Sequence, residues 1–282
     1  MKKKKRTKIL LAALTVLVLV VFVFPFVWML LASFKTQSQI MSADQTFIFT
    51  PTTDNYESVF RQYDFLKYIV NSMIVAVAST VLSLLLGLPA AYSVARYRLQ
   101  GFGLVILVAR IVPGISFLIP WYIIFSKLGL VDSYVSLVLS HMLVGLPFIV
   151  WIMISFFEGL PHEVEEAGMI DGCSPHQVFR RIVLPMSGAG IITSSLLSFI
   201  FSWNNFMFSI ILAGDKTKTL PIAVFNFMSY AEINWGGLMA AACIITLPVL
   251  VIALIAQRYV VNGLAAGAVK GIRSAGTRKR LH

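Results

Sequence analysis

The sequence predicts an all-α integral membrane protein, a bundle of six transmembrane helices, and three observations predict it. Of the 282 residues, 58% are hydrophobic and only 12% charged, and the mean hydropathy of +0.85 is more than a soluble core of this length can hide. Apolar runs of about 20 residues, the length needed to cross a hydrocarbon layer about 30 Å thick, recur along the chain. Lys and Arg gather in alternate connectors, the bias of loops retained on the inner face of a membrane.

The first run, 9–33, follows Met1-Lys2-Lys3-Lys4-Lys5-Arg6. A secretory signal begins in the same way, but its apolar region is about 7–15 residues long with a small-residue cleavage site behind it. This run is longer and continues into Phe34-Lys35, so it reads as a retained first span. Further spans are predicted at 68–93, 104–125, 134–157, 187–212 and 238–260. The connectors are then 34–67, 94–103, 126–133, 158–186 and 213–237. The domain scheme is a basic N-terminus (1–8), a membrane domain (9–260) and a tail (261–282). An even number of spans puts both termini on one side.

Charge selects that side. With the N-terminus inside, the inner segments, together with Arg258 at the inner end of span six, hold Lys2 to Arg6, Lys8, Arg96, Arg98, Arg180, Arg181, Lys270, Arg273 and Arg278 to Arg280, whereas the outer segments hold only Lys35, Arg61, Lys67, Lys127, Lys216 and Lys218. Both termini are therefore expected in the cytoplasm. Basic flanks of this kind account for the net charge of +11 without nucleic acid. Cys173 lies in the charged connector and Cys243 in an apolar run, so neither a disulfide framework nor a thiolate metal site is expected, and no other metal-spaced set occurs.

The connector 158–186 is a charged island that carries Glu158, Glu163, Glu165, Glu166 and Asp171, five of the twelve carboxylates. Its local chemistry predicts two short helices. Pro161 suits a first helical position, and the acidic residues after it complement the positive end of the helix dipole. Gly172 stops this helix. Ser174-Pro175-His176-Gln177 then reads as an N-cap, a proline at the first position and a capping-box partner three residues after the cap. The second helix runs to Leu184 and enters span five through Pro185. Two helices joined by a glycine turn form a knob that can dock into a soluble partner.

Glu166-Ala167-Gly168, two residues, Asp171-Gly172, nine residues and then Ile182-Val183-Leu184-Pro185 form a spaced pattern that resembles the signature loop of permease subunits of bacterial ATP-binding-cassette (ABC) importers, in their maltose-type carbohydrate branch. The likeness extends over Thr53-Asp54-Asn55-Tyr56, Asn71-Ser72, Ala90-Ala91-Tyr92-Ser93-Val94-Ala95-Arg96, Trp203-Asn204-Asn205-Phe206 and the tail from Gly263 to Gly271. Gly168 stands where the family usually has alanine and should weaken its helix by up to about 1 kcal/mol. Asn205 stands where an acidic or other polar residue is common.

The resemblance implies a type I importer bundle in which 161–184 forms coupling helices seated on an ATP-hydrolysing subunit. Glu166, Ala167 and Gly168 would pack in its cleft, Asp171 would make a charge-assisted contact or a cap, Gly172 the turn, and Pro185 the link to span five. It also implies a homologous second permease, two ATP-binding subunits that use ATP and Mg, an extracytoplasmic substrate-binding protein met by the connector 213–237 with Asp215, Lys216 and Lys218, and a place in the bacterial inner membrane. The chain itself would bind no cofactor and catalyse no reaction. In keeping with that, it contains no Gly-x-x-x-x-Gly-Lys-Ser/Thr phosphate loop. The tail either reaches the ATPase subunits or rests its basic end on anionic lipid.

A solute path is sought among polar residues of the spans, where polarity is expensive. Ser198, Ser202, Asn205 and Ser209 recur at spacings of four, three and four, one stripe on a continuous helical span five, and their hydroxyls and amide suit a sugar. The same small residues also suit close helix contact. Arg110 is the only formal charge deep in a span. Pro113, Gly114 and Pro120 follow it and predict an interruption of span three, a feature of translocation paths. Arg110 either lines that path or pairs with a carbonyl or a partner subunit. His141 reads as an interhelical residue. The rival class is a self-contained ion-coupled secondary transporter or channel, but such proteins place Asp or Glu in their spans, and the predicted spans contain none. A membrane enzyme lacks its catalytic groups here.

Overall fold

In a computed structural model, residues 2–62, 64–97, 99–228 and 233–278 are described, and among them the only β pairing is one bridge between Met228 and Ile233. The helices are α1 (Lys2–Ser33), α2 (Gln37–Met41), α3 (Asp54–Gln62), α4 (Phe65–Tyr97), α5 (Gln100–Ile111), α6 (Leu118–Lys127), α7 (Tyr134–Glu158), α8 (His162–Ile170), α9 (Pro175–Val178), α10 (Leu184–Met186), α11 (Gly188–Trp203), α12 (Met207–Leu212), α13 (Leu220–Ala223) and α14 (Trp235–Arg278). Among the described residues four continuous stretches are long and apolar enough to cross a membrane: Thr7–Ser33, Phe65–Tyr97, Tyr134–Glu158 and Trp235–Ile255. Counting Pro175–Met186 with Gly188–Trp203, a pair bent by 77°, as one span gives a fifth.

The two remaining departures from six simple rods have local causes. Expected span three is interrupted where predicted: α5 ends before Pro113, a 3-10 turn covers Gly114–Phe117, and α6 follows. Proline cannot donate to the helical ladder, so the chain restarts there. Expected span five is not the continuous helix that the serine stripe assumed. α11 stops at Trp203, with Asn204 as its C-cap, and α12 begins at Met207. The Asn205 side-chain oxygen accepts the Phe208 N–H at 3.1 Å, so the asparagine, one residue before the Phe206 N-cap, satisfies a donor in the first turn of α12, a local bond that competes with helix continuation.

The chain divides into two units, Met1–Lys67 with Ala223–Pro248 and Tyr68–Ile222 with Val249–His282. In the first, α1 presents leucine, valine and phenylalanine outward along its length, as a helix surrounded by lipid does. The Lys35 ammonium is buried there, donating to the Gln45 and Thr46 carbonyls at 2.9 and 2.6 Å and lying 4.6 Å from the centre of the Phe49 ring. Asn55 donates to the Ser33 and Lys35 carbonyls, both at 2.8 Å. The Thr53–Tyr56 motif thus ties α3 to the end of α1.

In the second unit α4, α7 and α11 pack as layers one helical turn apart. Ser202 Oγ lies 2.7 Å from His141 Nδ1 and accepts from Ser79 Oγ at 3.0 Å. One turn on, Gly145 faces Ser83 and Ser198, and one turn further Gly87 faces Ile149. Small residues at this period let the helix backbones approach closely. Apolar clusters close both ends. One joins Val75, Phe125, Leu137, Met142 and Phe208; the other joins Ala91, Ile149, Met153 and Phe157 to Val178 and Val183 of the connector 158–186.

Candidate functional site

The connector 158–186 folds as the helix–turn–helix that its sequence predicts. α8 starts one residue later than expected, because Pro161 sits at the N-cap with extended geometry rather than inside the helix. At its end Gly172 has φ +86°, the left-handed value that glycine reaches without penalty. Gly172 N–H donates to the Met169 carbonyl and Cys173 N–H to the Gly168 carbonyl, both at 3.0 Å; these two bonds make a Schellman motif that satisfies the last carbonyls of α8. Ser174 and Gln177 complete a capping box, with Ser174 N–H donating to Gln177 Oε1 at 2.8 Å and Pro175 at the first helical position. A wider π turn, Phe179–Val183, precedes Pro185, which has no N–H for the regular ladder.

Gly168 is expected from its sequence to weaken α8, and the structure adds what it gains. A Cβ at Gly168 would overlap Ile182 Cδ1, so the glycine lets α8 lie directly on the second helix. Gly168→Ala is expected to change stability by no more than about 1 kcal/mol, because its helix propensity gain opposes the displacement of a flexible isoleucine end. Combined with Ile182→Val, the same substitution should raise the thermal midpoint.

Sequence reasoning grouped the glutamates of α8, whereas the structure separates them. Glu166, Ala167, Asp171 and Gly172 are exposed, and Ile170, between the exposed Met169 and Asp171, is 86% exposed. Glu165 points the other way and is 5% exposed. Its Oε1 accepts from Arg96 Nε at 2.7 Å and is ion-paired with Arg96 Nη2, while its Oε2 accepts from the Tyr92 hydroxyl at 2.6 Å. Arg96 also approaches the Leu160 carbonyl at 3.4 Å. The Tyr92 ring centre lies 4.9 Å from that of Phe179 and 5.8 Å from that of Phe157. A buried charge is tolerable when paired and fully hydrogen-bonded, and removing one partner of such a pair costs about 3–5 kcal/mol. The signal available in the sequence was the Tyr92-to-Arg96 motif closing α4, but nothing in the sequence says which acid it meets.

The residues expected to line a solute path are placed differently from one another. Ser202 is bonded to Ser79 and His141, Ser198 is buried against Gly145, and Ser209 is buried with its hydroxyl donating to the Asn205 carbonyl at 3.3 Å. These three serines thus lie in contacts within and between helices. Asn205 is half-buried at the break. Arg110 lies in α5, and its side chain is outside the described residues, as are those of the tail 261–282. His141 is buried, and among the described residues its Nε2 has no partner. No group of three His, Cys, Asp or Glu able to hold a metal occurs among the described residues.

The family described as the binding-protein-dependent transport system inner membrane component matches residues 83–265, a stretch that contains the whole helix–turn–helix and the Tyr92–Arg96–Glu165 cluster. The chain belongs to this family. A probable ABC transporter permease of Sinorhizobium fredii, y4oR, is 38% identical over 250 residues, covering 88% of this chain and 90% of that protein. The trehalose/maltose transport system permease MalG of Thermococcus litoralis is 34% identical over 278 residues, 94% and 97% of the two chains. A chain of a bacterial ABC transporter that imports the acidic polysaccharide alginate has the same fold, with a TM-score of 0.78 at 18% identity over 92% of this chain and 98% of its own. The protein is thus an ABC importer permease, a multi-pass membrane subunit that leaves ATP hydrolysis to a partner ATPase.

At the other end of α4, the permease fixes the segment after α12. Asp132, with φ +58°, accepts the Gly214, Lys216 and Thr217 N–H groups at 2.9, 3.2 and 3.0 Å and the Thr217 hydroxyl at 2.8 Å. Asn71 donates to the Lys216 and Lys218 carbonyls at 3.0 and 2.9 Å, and Ser72 Oγ accepts the Leu220 N–H at 2.7 Å. The Asn71-Ser72 motif is thereby explained. Burial opposes the charge on Asp132, but the Thr217 hydroxyl and the three backbone donors outweigh it and hold the carboxyl below its ordinary value of 3.8. A lowered folded value means that this anchoring is fully present above 3.8 and is lost as pH falls below it. With Cys173 and Cys243 replaced by serine, a spin label at Asp215→Cys should sharpen between about pH 6 and about pH 3. Adding Asp132→Asn should leave it mobile at both values.

Proposed function

We propose that this permease is one half of the membrane pore of a carbohydrate importer, paired with a homologous second permease, with two ATPase subunits on the cytoplasmic side and a substrate-binding protein outside. The observation that carries the reading is the outward face of α8. Glu166, Ala167, Ile170, Asp171 and Gly172 are exposed on a helix whose other face is locked into the core, a rigid apolar tip ringed by acids that fits insertion into a cleft of an ATPase. Closure of two ATPase subunits on ATP would carry this tip, and the helices beyond it would rock between inward-open and outward-open states. Both termini, and 158–186 with them, lie in the cytoplasm in this reading, in line with the bias of Lys and Arg.

Carbohydrate as the solute is supported by the relatives, whose names specify trehalose, maltose and, for a permease of Streptomyces coelicolor 33% identical over 254 residues, diacetylchitobiose. Asn205, and Arg110 in the interrupted span, are the residues of this chain proposed to meet it, with Ser198, Ser202 and Ser209 supporting the wall behind them. Asp215 and Lys216, exposed on the segment held by Asp132 and Asn71, are proposed to meet the binding protein. The test is purification of the tagged chain from its native membrane in mild detergent, with identification of every co-purifying protein and of any small molecule on the binding protein. A second permease, an ATPase and a sugar-loaded binding protein are expected. A chain recovered alone and still transporting after reconstitution would refute the assignment.

A further inference from the structure

We infer that the Arg96–Glu165 ion pair, with Tyr92, is the positioning element that transmits movement of α8 to α4; this rests on the reading of 158–186 as the ATPase-docking segment. By covalent connection alone, the segment joins the bundle only through α7 before it and α11 after it, at Gly159 and Ser187. Val178 and Val183 share an apolar cluster with Ala91 of α4, and Glu165 adds to this non-directional packing a charged attachment to the same helix, 69 residues earlier in the chain. Both of its carboxylate oxygens are engaged, one by Arg96 and one by Tyr92, so α8 can neither slide nor turn on α4 without breaking a charge-assisted bond. The second half of the segment meets the same point, because the Phe179 ring packs against the Tyr92 ring at a tilt of 40°. Arg96 and Glu165 side chains are each 7% exposed, so water does not compete for the contact. Glu166 faces the partner while its neighbour Glu165 faces α4, and a displacement at one is felt at the other.

The test uses the complex that co-purifies with this chain, with Cys173 and Cys243 replaced by serine and a reporter at Val77→Cys on the far half of α4, an exposed position. ATP hydrolysis and the change in thiol reactivity between the nucleotide-free and vanadate-trapped states are read together. For Arg96→Gln, hydrolysis should stay within about twofold while the reactivity change falls at least about fivefold, since one partner of a buried pair is removed. Arg96→Lys should restore part of it, because lysine keeps the charge without the planar fork. A general structural defect would lower hydrolysis and reactivity change alike. If Arg96→Gln does not assemble, Tyr92→Phe, which keeps the ion pair, should lower the reactivity change about twofold. An undiminished change in these variants, or no change at Val77→Cys in the unsubstituted complex, overturns the inference. Ile170→Asp separates the two readings: if it leaves ATPase association intact, the docking assignment fails, whereas abolished association together with an unaffected Arg96→Gln leaves docking standing and removes the transmission role.

Discussion

Gly172→Pro is expected to abolish uptake while leaving the amount of chain in the membrane within about twofold of normal. Gly172 sits at φ +86°, whereas proline is locked near −65°, and its N–H, which donates to the Met169 carbonyl, would be removed. A non-glycine residue in this conformation costs about 1–2 kcal/mol, so Gly172→Ala should give an intermediate uptake. Neither change touches an apolar layer between the long helices. The damage is confined to the angle between α8 and α9 and hence to where Ile170 points. Asp171→Lys is the complementary variant, because a cation at the C-terminal end of α8 suits the helix dipole. Its expected failure of uptake therefore reports impaired docking on a partner and not a weakened helix. The measurement is solute uptake into vesicles together with the quantity of ATPase recovered on the chain. Normal uptake by either variant would contradict the coupling role.

The second large effect is expected at Gly190. A Cβ there would stand 2.6–2.8 Å from three ring carbons of Phe156, closer than any real contact, and Phe156 and its neighbours belong to the packed end of α7. Gly190→Ala should destabilise the detergent-solubilised protein by about 1–3 kcal/mol through overpacking, and Gly190→Leu should prevent stable expression. Phe156→Leu should recover most of the alanine variant's loss, because the two changes share one contact and are therefore non-additive. Thermal midpoints of the single and double variants measure this. A double variant whose loss equals the sum of the single losses would show that the ring and the glycine do not meet as described.

Glycine, proline and capping-box signals in the sequence translated directly into structure. The glycine turn at 172, the Ser174–Gln177 capping box and the interruption before Pro113 each depend on residues within one helical turn, and each stands as expected. The break between Trp203 and Met207 was not legible, because Asn204-Asn205 carry neither glycine nor proline and apolar residues continue on both sides. Asparagine terminated the helix by offering its own oxygen to a backbone donor, and a stripe counted at helical period missed it. The opposite facing of Glu165 and Glu166 was out of reach for a different reason. Adjacent residues on a helix differ by about 100° in direction, and which of two acids turns inward is decided by a residue 69 positions away. Likewise, Asn71 and Asp132 gave no sign of their shared hold on 213–220, since both ends of each contact are remote in sequence.

The 77° bend between Pro175–Met186 and Gly188–Trp203 constrains the motion that the proposed coupling would deliver to the bundle. A push delivered along the second connector helix arrives at α11 mainly across its axis and only slightly along it. In the coupling proposed above, such a joint would act as a bell crank, turning a stroke along the second connector helix into a tilt of the helix beyond and disfavouring a piston-like sliding of α11 along its own axis.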